Sequence, residues 1–297
     1  MQDHLKGLLI TTLGVLMIVP DSLFVRLTEA PALTIAFWRA LLAAIVLALG
    51  VLLVQGPGAF RALARLGPGL WLYIVNMAAS GVLFVVAVSL TSVANVVFII
   101  AAMPAFAALL SWAFLGERLS RRTAITIAVV MVGIGIIAWG SGEVEHASRL
   151  GDLVALVVAI IFAVALTTAR RLRAASLVPA IPFGLLLAAL VIYPFTDIFD
   201  VARSSLPYVA VHGPVFIAAS MALITLGPRY LPSAEVALLI LLESVLAPIL
   251  AWVVVGEAVG AWTLAGGALV LGALAVSNAL ALMRRSGRAA RGKAGAV

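Results

Sequence analysis

Apolar residues run along this chain in blocks of about 20, each closed by a short cluster of charge, glycine or proline. As a helix rising about 1.5 Å per residue, such a block crosses the roughly 30 Å hydrocarbon core of a bilayer. Ten blocks can be drawn, at roughly 5–25, 33–54, 69–90, 93–115, 122–139, 150–169, 178–195, 207–226, 233–255 and 261–283. The links between them are short, so the pattern predicts an all-α integral membrane protein with no inserted soluble domain. The boundaries are loosest in the seventh and eighth blocks, where Pro179, Pro182, Pro194, Pro207 and Pro214 crowd the ends and Asp197 and Asp200 mark the turn.

The block from Pro232 to Glu257, PSAEVALLILLESVLAPILAWVVVGE, holds a carboxylate near its middle. Counted from Ser233, Glu243 lies about 15 Å along the helix, at the centre of the bilayer. An ionisable group at that depth is costly and faces a bundle interior or an aqueous cavity rather than lipid. The competing reading is a protonated or hydrogen-bonded structural Glu.

Composition and charge refine this picture. Of 297 residues, 65% are apolar and 10% charged, far outside the range of soluble domains. There is no cysteine, and His4, His146 and His212 are scattered, so neither a metal site nor a cofactor is expected. The first block lacks an A-x-A-like cleavage site and is read as a membrane helix, not a signal peptide. Fifteen of the 19 Lys and Arg residues fall on the side of the N-terminus; Arg26, Arg149 and Arg203 fall opposite, and Arg39 lies inside the second block. That bias predicts both termini in the cytoplasm and sets aside a nucleic-acid role. The basic segment 284–297 reads as an unstructured tail against lipid headgroups.

The two halves of the chain repeat. At an offset of 140 residues, Ser92 to Thr123 aligns without gaps on Pro232 to Thr263, with nine of 32 positions identical. Among them are Trp112/Trp252, Gly116/Gly256, Glu117/Glu257 and Thr123/Thr263. A five-helix unit has an odd number of crossings, so its second copy enters the membrane from the opposite face. The expected architecture is therefore two inverted five-helix repeats, residues 1–140 and 149–283, around a central cavity with the substrate site near the midplane. At the position equivalent to Glu243 the first repeat has Met103, so the cavity is asymmetric where its scaffold is symmetric.

With its two Pro-containing helices running into LGERLS and VGEAVG, each succeeded by a glycine-rich helix (Gly133 and Gly135; Gly266, Gly267 and Gly272), the chain resembles the EamA type of the drug/metabolite transporter superfamily. FWRALLA around Arg39 and LLESVLAPILAW around Glu243 also look like family positions. The resemblance spans essentially the whole chain. It implies helices one, three, four, six, eight and nine around the cavity, with five and ten packed at the periphery. It specifies substrate poorly, since the superfamily moves amino acids, nucleotide sugars, triose phosphates and drugs. The chain departs from an even repeat in two ways: the second Gly-Glu lacks the basic residues after the first, and Pro248 is displaced by four positions from the equivalent of Pro104.

Several residues are candidates for the site. Glu243 either binds the ammonium of a substrate or carries the coupled proton of an antiporter. Arg39 is expected about 9 Å deep, level with Asp21, as a structural ion pair, a gate, or a contact for a substrate carboxylate. Asn76 and Ser80 share a helix face, facing substrate or a neighbouring helix. His212 is read as a titrating or hydrogen-bonding group, and Trp38 as an interfacial anchor. Pro20, Pro104 and Pro248 interrupt their helices as structural kinks or hinges. Gly116-Glu117 and Gly256-Glu257 each stop a helix and organise the turn or cap the next helix. Ala268-xxx-Gly272 suits close helix contact, within one chain or in a dimer.

There is no G-x-x-x-x-G-K-[ST] stretch, so transport is passive or driven by an ion or substrate gradient. The expected function is non-ATP export of small metabolites, amino acids including aromatic ones being favoured, from the inner membrane by alternating access. Proton-coupled export of cationic drugs or other metabolites is the alternative. A lipid-modifying membrane enzyme and a non-transporting scaffold are alternatives of other classes; no nucleophile, base and metal constellation supports the former. The expected partners are a small-molecule substrate and the bilayer, with the chain a monomer or homodimer.

Overall fold

The computed structural model describes residues 2–116, 119–141, 147–172, 175–231 and 233–294, and among these there is no β-strand. Ten helical spans are long and apolar enough to cross a membrane: α1 (Asp3–Leu27), α2 (Ala32–Gln55), α3 (Pro68–Leu90), α4 (Val93–Phe114), α5 (Arg121–Gly140), α6 (Arg149–Ala169), α7 (Val178–Phe195), α8 (Arg203–Leu226), α9 (Glu235–Val255) and α10 (Ala261–Met283). We refer to the face that carries both chain ends as the terminal face and to the other as the distal face. Large apolar side chains on the outer surface, such as Leu53, Val54, Phe114 and Phe199, suit contact with acyl chains.

The packing has the pseudo-two-fold logic of inverted repeats. α1 lies on α8 as α3 lies on α6, and α1 meets α9 as α6 meets α4. The pairs α2 with α7, α4 with α9 and α5 with α10 each join an element to its own counterpart. In the α5–α10 pair, Gly133 and Gly266 face each other so closely that a Cβ on Gly133 would stand 2.9 Å from the Gly266 carbonyl oxygen. Within the chain it is Gly266 of α10 that makes this contact; where a Cβ would stand on Gly272, expected to suit contact within one chain or in a dimer, there is open space.

Proline shapes the spans unevenly. α1 is broken at Pro20 into Gln2–Ile18 and Asp21–Leu27, and α4 into Val93–Ile100 and Met103–Leu115 just before Pro104. The helix Ser233–Val255 continues straight through Pro248, contrary to the expected interruption. Pro248 removes one i→i−4 hydrogen bond, but the other turns of a 23-residue helix in an apolar medium hold it together. In α8 a π-helical turn, His212–Ile217, separates Leu206–Val211 from Ala218–Leu226. Pro214 lies within it, where a widened turn accommodates the ring and the missing N–H. α8 starts four residues earlier than the sequence suggests because a 3₁₀ turn, Arg203–Ser205, leads into it. The final helix continues to Ala294, replacing the unstructured tail expected there; its Ala- and Arg-rich composition favours helix.

Candidate functional site

The break at Pro20 sets Asp21 in the first turn of a new helical piece, aimed into the bundle. There it meets Arg39 of α2: Nε donates to Asp21 Oδ1 at 2.8 Å and Nη2 donates to Oδ2 at 2.5 Å. His212, from the π turn of α8, adds a third bond, Nε2 to Asp21 Oδ1 at 2.7 Å. All three side chains are at most 5% exposed, so the cluster is paired and hydrogen-bonded as a buried charge must be. Two residues come from the first repeat and one from the second.

Glycine lets this cluster form. A Cβ on Gly213 would lie 2.6 Å from the Arg39 carbonyl oxygen and 3.2 Å from the Ala43 nitrogen, so only glycine brings the π turn this close to α2. The ring of His212 stacks on Phe24 with centroids 5.2 Å apart, and Phe24 in turn packs on Phe216. Arg39 lies over the ring of Phe84 in α3, its Cζ 5.6 Å from the centroid, a cation–π arrangement. Among the described residues its Nη1 makes no hydrogen bond; it looks toward Gly81, where a Cβ would stand 3.7 Å away.

Glu243 lies within electrostatic reach of both Asp21 and Arg39. It is half-buried and, among the described residues, has no hydrogen bond or ion pair of its own, unlike the acids around it. Its neighbour Ser244 donates to the Val97 carbonyl at 3.4 Å, which ties α9 to α4 at this depth. The carboxyl group is thus unpartnered beside a paired cluster.

The remaining candidates fall elsewhere. Asn76 Nδ2 donates to the Leu72 carbonyl at 2.7 Å and Ser80 Oγ to the Met77 carbonyl at 3.0 Å, so both bond back onto their own helix. No hydrogen bond joins either to Asp21, Arg39, His212 or Glu243; Phe84, one turn beyond Ser80, makes the contact from α3. Trp38 Nε1 donates to the Ile198 carbonyl at 2.8 Å, pinning α2 to the α7–α8 link. Met103, the counterpart of Glu243, lies at the break in α4. Grooves between α5 and α10 (Val132, Gly135, Ile136, Trp139, Trp262) and before α3 (Leu63, Gly67, Trp71) hold no titratable side chain. Among the described residues no group of His, Cys, Asp and Glu is placed to hold a metal.

A second polar assembly, at the distal face, has no counterpart among the sequence expectations. Gly256 does end its helix, with φ +70°, but Glu257 does not cap the next helix. It crosses to the other repeat, where its Oε1 accepts the Val93 N–H at 2.5 Å and its Oε2 accepts Arg26 Nε at 2.8 Å. A carboxylate at the first N–H groups of α4 is favoured by the helix dipole. Arg26 Nη2 also donates to the Thr91 carbonyl at 2.7 Å. The Thr91 hydroxyl donates to Asp152 Oδ1 at 2.8 Å, and Asn95 Nδ2 donates to the same oxygen at 2.8 Å. Ser141 bonds Asp152 Oδ2, and Thr263 donates to Asn95 Oδ1 at 2.7 Å. Glu117, the counterpart of Glu257, lies outside the described residues, as does His146.

Known proteins share this architecture. A family model described as the EamA-like transporter family matches residues 5–139 and again 149–279. No curated protein matches the chain. Among solved structures fifteen chains match. One of them, described only as "Crystal structure of protein", is 20% identical over 93% of this chain and 98% of its own, with a TM-score of 0.63. At that identity the likeness is one of fold.

Proposed function

Because the chain belongs to the EamA-like transporter family, we propose that it exports amino acids, aromatic ones included, across a bacterial-type inner membrane by alternating access between its two repeats. It is a multi-pass membrane transporter of small molecules. The observation that carries the finer reading is a free guanidinium donor and an unpartnered carboxyl group in one interior site. Among the described residues, Arg39 has one guanidinium nitrogen, Nη1, without a partner, and Glu243 has a whole carboxylate without one. A zwitterion satisfies both: its carboxylate meets Nη1 and its ammonium meets Glu243. Asp21 and His212 then act as the support that keeps Arg39 in place, since a bidentate carboxylate fixes the guanidinium plane. Leu241 and Leu246, flanking Glu243 in sequence, belong to the apolar packing around the centre and suit a hydrophobic side chain.

The orientation we assign, both termini cytoplasmic, rests on the excess of Lys and Arg at the terminal face. A second reading, export of cations by proton antiport, is favoured by Glu243 taken alone, because a lone interior carboxylate accepts either a cation or a proton. Uptake into proteoliposomes of amino acids, nucleosides and cationic drugs, with and without a pH gradient, separates the two. Amino-acid flux is expected, aromatic species included. Movement of cations with no flux of any amino acid overturns the assignment in favour of antiport.

A further inference from the structure

The distal polar assembly does something that neither the fold nor the interior site requires of it. Most of its bonds join one repeat to the other, although Arg26 to Thr91, Asn95 to Thr91 and Asn95 to Ser141 stay on the side of the first. Arg26, Thr91, Val93 and Asn95 belong to the first repeat and Ser141 closes it; Asp152, Glu257 and Thr263 belong to the second. Thr91 is the shared node, since its carbonyl takes Arg26 and its hydroxyl bonds Asp152 and accepts the Ser148 N–H at 3.1 Å. The assembly is dry: Thr91, Asn95, Asp152, Glu257 and Thr263 are all buried.

We infer that Arg26, Glu257, Thr91, Asn95 and Asp152 form the distal gate of the transporter, a latch between repeats that is shut in this structure and parts when the substrate path opens on that side. Parting at this face cannot proceed while these bonds hold: Arg26 to the Thr91 carbonyl and Glu257 to the Val93 N–H join the α1 and α9 side to the α3 and α4 side, and Thr263 to Asn95 ties α10 to α4. Their chemistry suits a reversible seal. A buried ion pair roughly breaks even against hydration of its two ions, so water entering the gap recovers much of what the bonds lose. The hydroxyl and amide groups around Asp152 likewise exchange partners for water, whereas an apolar seal of equal area gains nothing on wetting. The network is also cooperative, since loss of Thr91 from its place removes bonds to Arg26, Asp152 and Ser148 together, which gives the gate two states. The inference rests on the transporter reading but not on the identity of the cargo.

The chain has no cysteine, so a single reporter can be introduced beneath the latch. Gly81→Cys is suitable because a Cβ there meets only Arg39 Nη1, at an ordinary 3.7 Å. In sealed membranes of known sidedness, a membrane-impermeant maleimide applied at the distal face reports opening. With Gly81→Cys alone, labelling is expected to be slow. Adding Glu257→Gln, which keeps an oxygen for the Val93 N–H but removes the ion pair, is expected to raise the rate about tenfold, the effect of about 1.4 kcal/mol lost from the shut state. His4→Ala, at the terminal face, is expected to leave it unchanged. Equal distal labelling with and without Glu257→Gln overturns the inference.

A second experiment replaces the ion pair by a covalent tether that can be released. A reducible bifunctional thiol cross-linker spanning Arg26→Cys and Glu257→Cys holds the latch shut. Exchange of radiolabelled amino acid, or of whichever probe the proteoliposome panel identifies, is expected to stop on cross-linking and to return on reduction. Full transport with the tether in place contradicts the gate. Because labelling requires no substrate, a gate that opens in a protein that fails to move amino acids separates this inference from the cargo assignment.

Discussion

At the distal face Glu257 is 6% exposed and holds Arg26 and the Val93 N–H across the repeat boundary. At the terminal face a pair between the repeats, Glu235 with His4 at 2.8 Å, involves side chains 25% and 53% exposed. Other polar contacts there include Arg171 to the Phe114 carbonyl and Arg229 to Ser176, both exposed, and Lys6 over the ring of Tyr230. Among the described residues the polar contacts between repeats are thus buried at the distal face and exposed at the terminal face, where the buried join is instead apolar, around Leu70, Tyr73, Leu177 and Ala180. Equivalent positions show how. Asn95 is the buried hub of the distal network, whereas its counterpart Glu235 is partly in solvent. Thr263 bonds Asn95 across the boundary, while its counterpart Thr123 stays local with Ser120, the N-cap of α5. The scaffold is symmetric and the polar chemistry on it is not.

Substitutions that remove one side of each join measure the difference. The largest effect is expected for Glu257→Ala, which strands Arg26 and the first N–H of α4. About 3 kcal/mol is expected, the low end for breaking a buried pair because Arg26 keeps some solvent contact. Thermal unfolding in lipid nanodiscs reads it, and a midpoint indistinguishable from the parent's would show that the distal join carries no stability. Asp152→Asn comes next, at about 1–3 kcal/mol, since an amide cannot accept from Thr91, Asn95 and Ser141 on both of its heads. The repeat-equivalent pair is a sharper comparison: Thr263→Val is expected to cost about 1 kcal/mol and Thr123→Val about half that. If the two prove equal in the same unfolding assay, the asymmetry described for the faces has no energetic content. The smallest effect is expected at the terminal face, where His4→Ala changes stability by no more than about 0.5 kcal/mol, as for other exposed pairs.

Much of this is legible in the sequence because lipid imposes a simple rule on it. Apolar runs of one length mark the ten spans, and an odd number of them per repeat implies the inversion. The ionisable residues inside the runs, Asp21, Arg39, His212 and Glu243, stand out against that background, and the structure draws the first three together with Glu243 close by. The hidden part depends on contacts between distant segments. Asp152 lies three residues into its helix, after Arg149 and Gly151, and reads as a flanking polar residue; only the approach of α3, α4 and α5 buries it. Asn95 is masked in the same way by the Thr91–Ser92 break before α4. Glu257 reads as a local turn residue because the sequence carries no trace of the helix it caps 164 positions away. Prolines are visible, but not the backbone's answer to them. Pro20 breaks a helix, Pro214 sits in a π turn that positions His212, and Pro248 is absorbed.

The stability differences between the faces matter only if the protein carries substrate through the centre they enclose. Glu243 is the residue on which that turns, because it is the interior carboxyl group that no other described side chain bonds. The most direct test is counterflow of an aromatic amino acid in proteoliposomes with Glu243→Gln beside the parent protein, each checked by its unfolding midpoint. The amide is nearly isosteric and leaves no buried pair broken, so the midpoint is expected to stay put while transport falls about tenfold or more, a loss of about 1.4 kcal/mol or greater in substrate or transition-state binding. Transport at the parental rate by a folded Glu243→Gln protein would contradict the account.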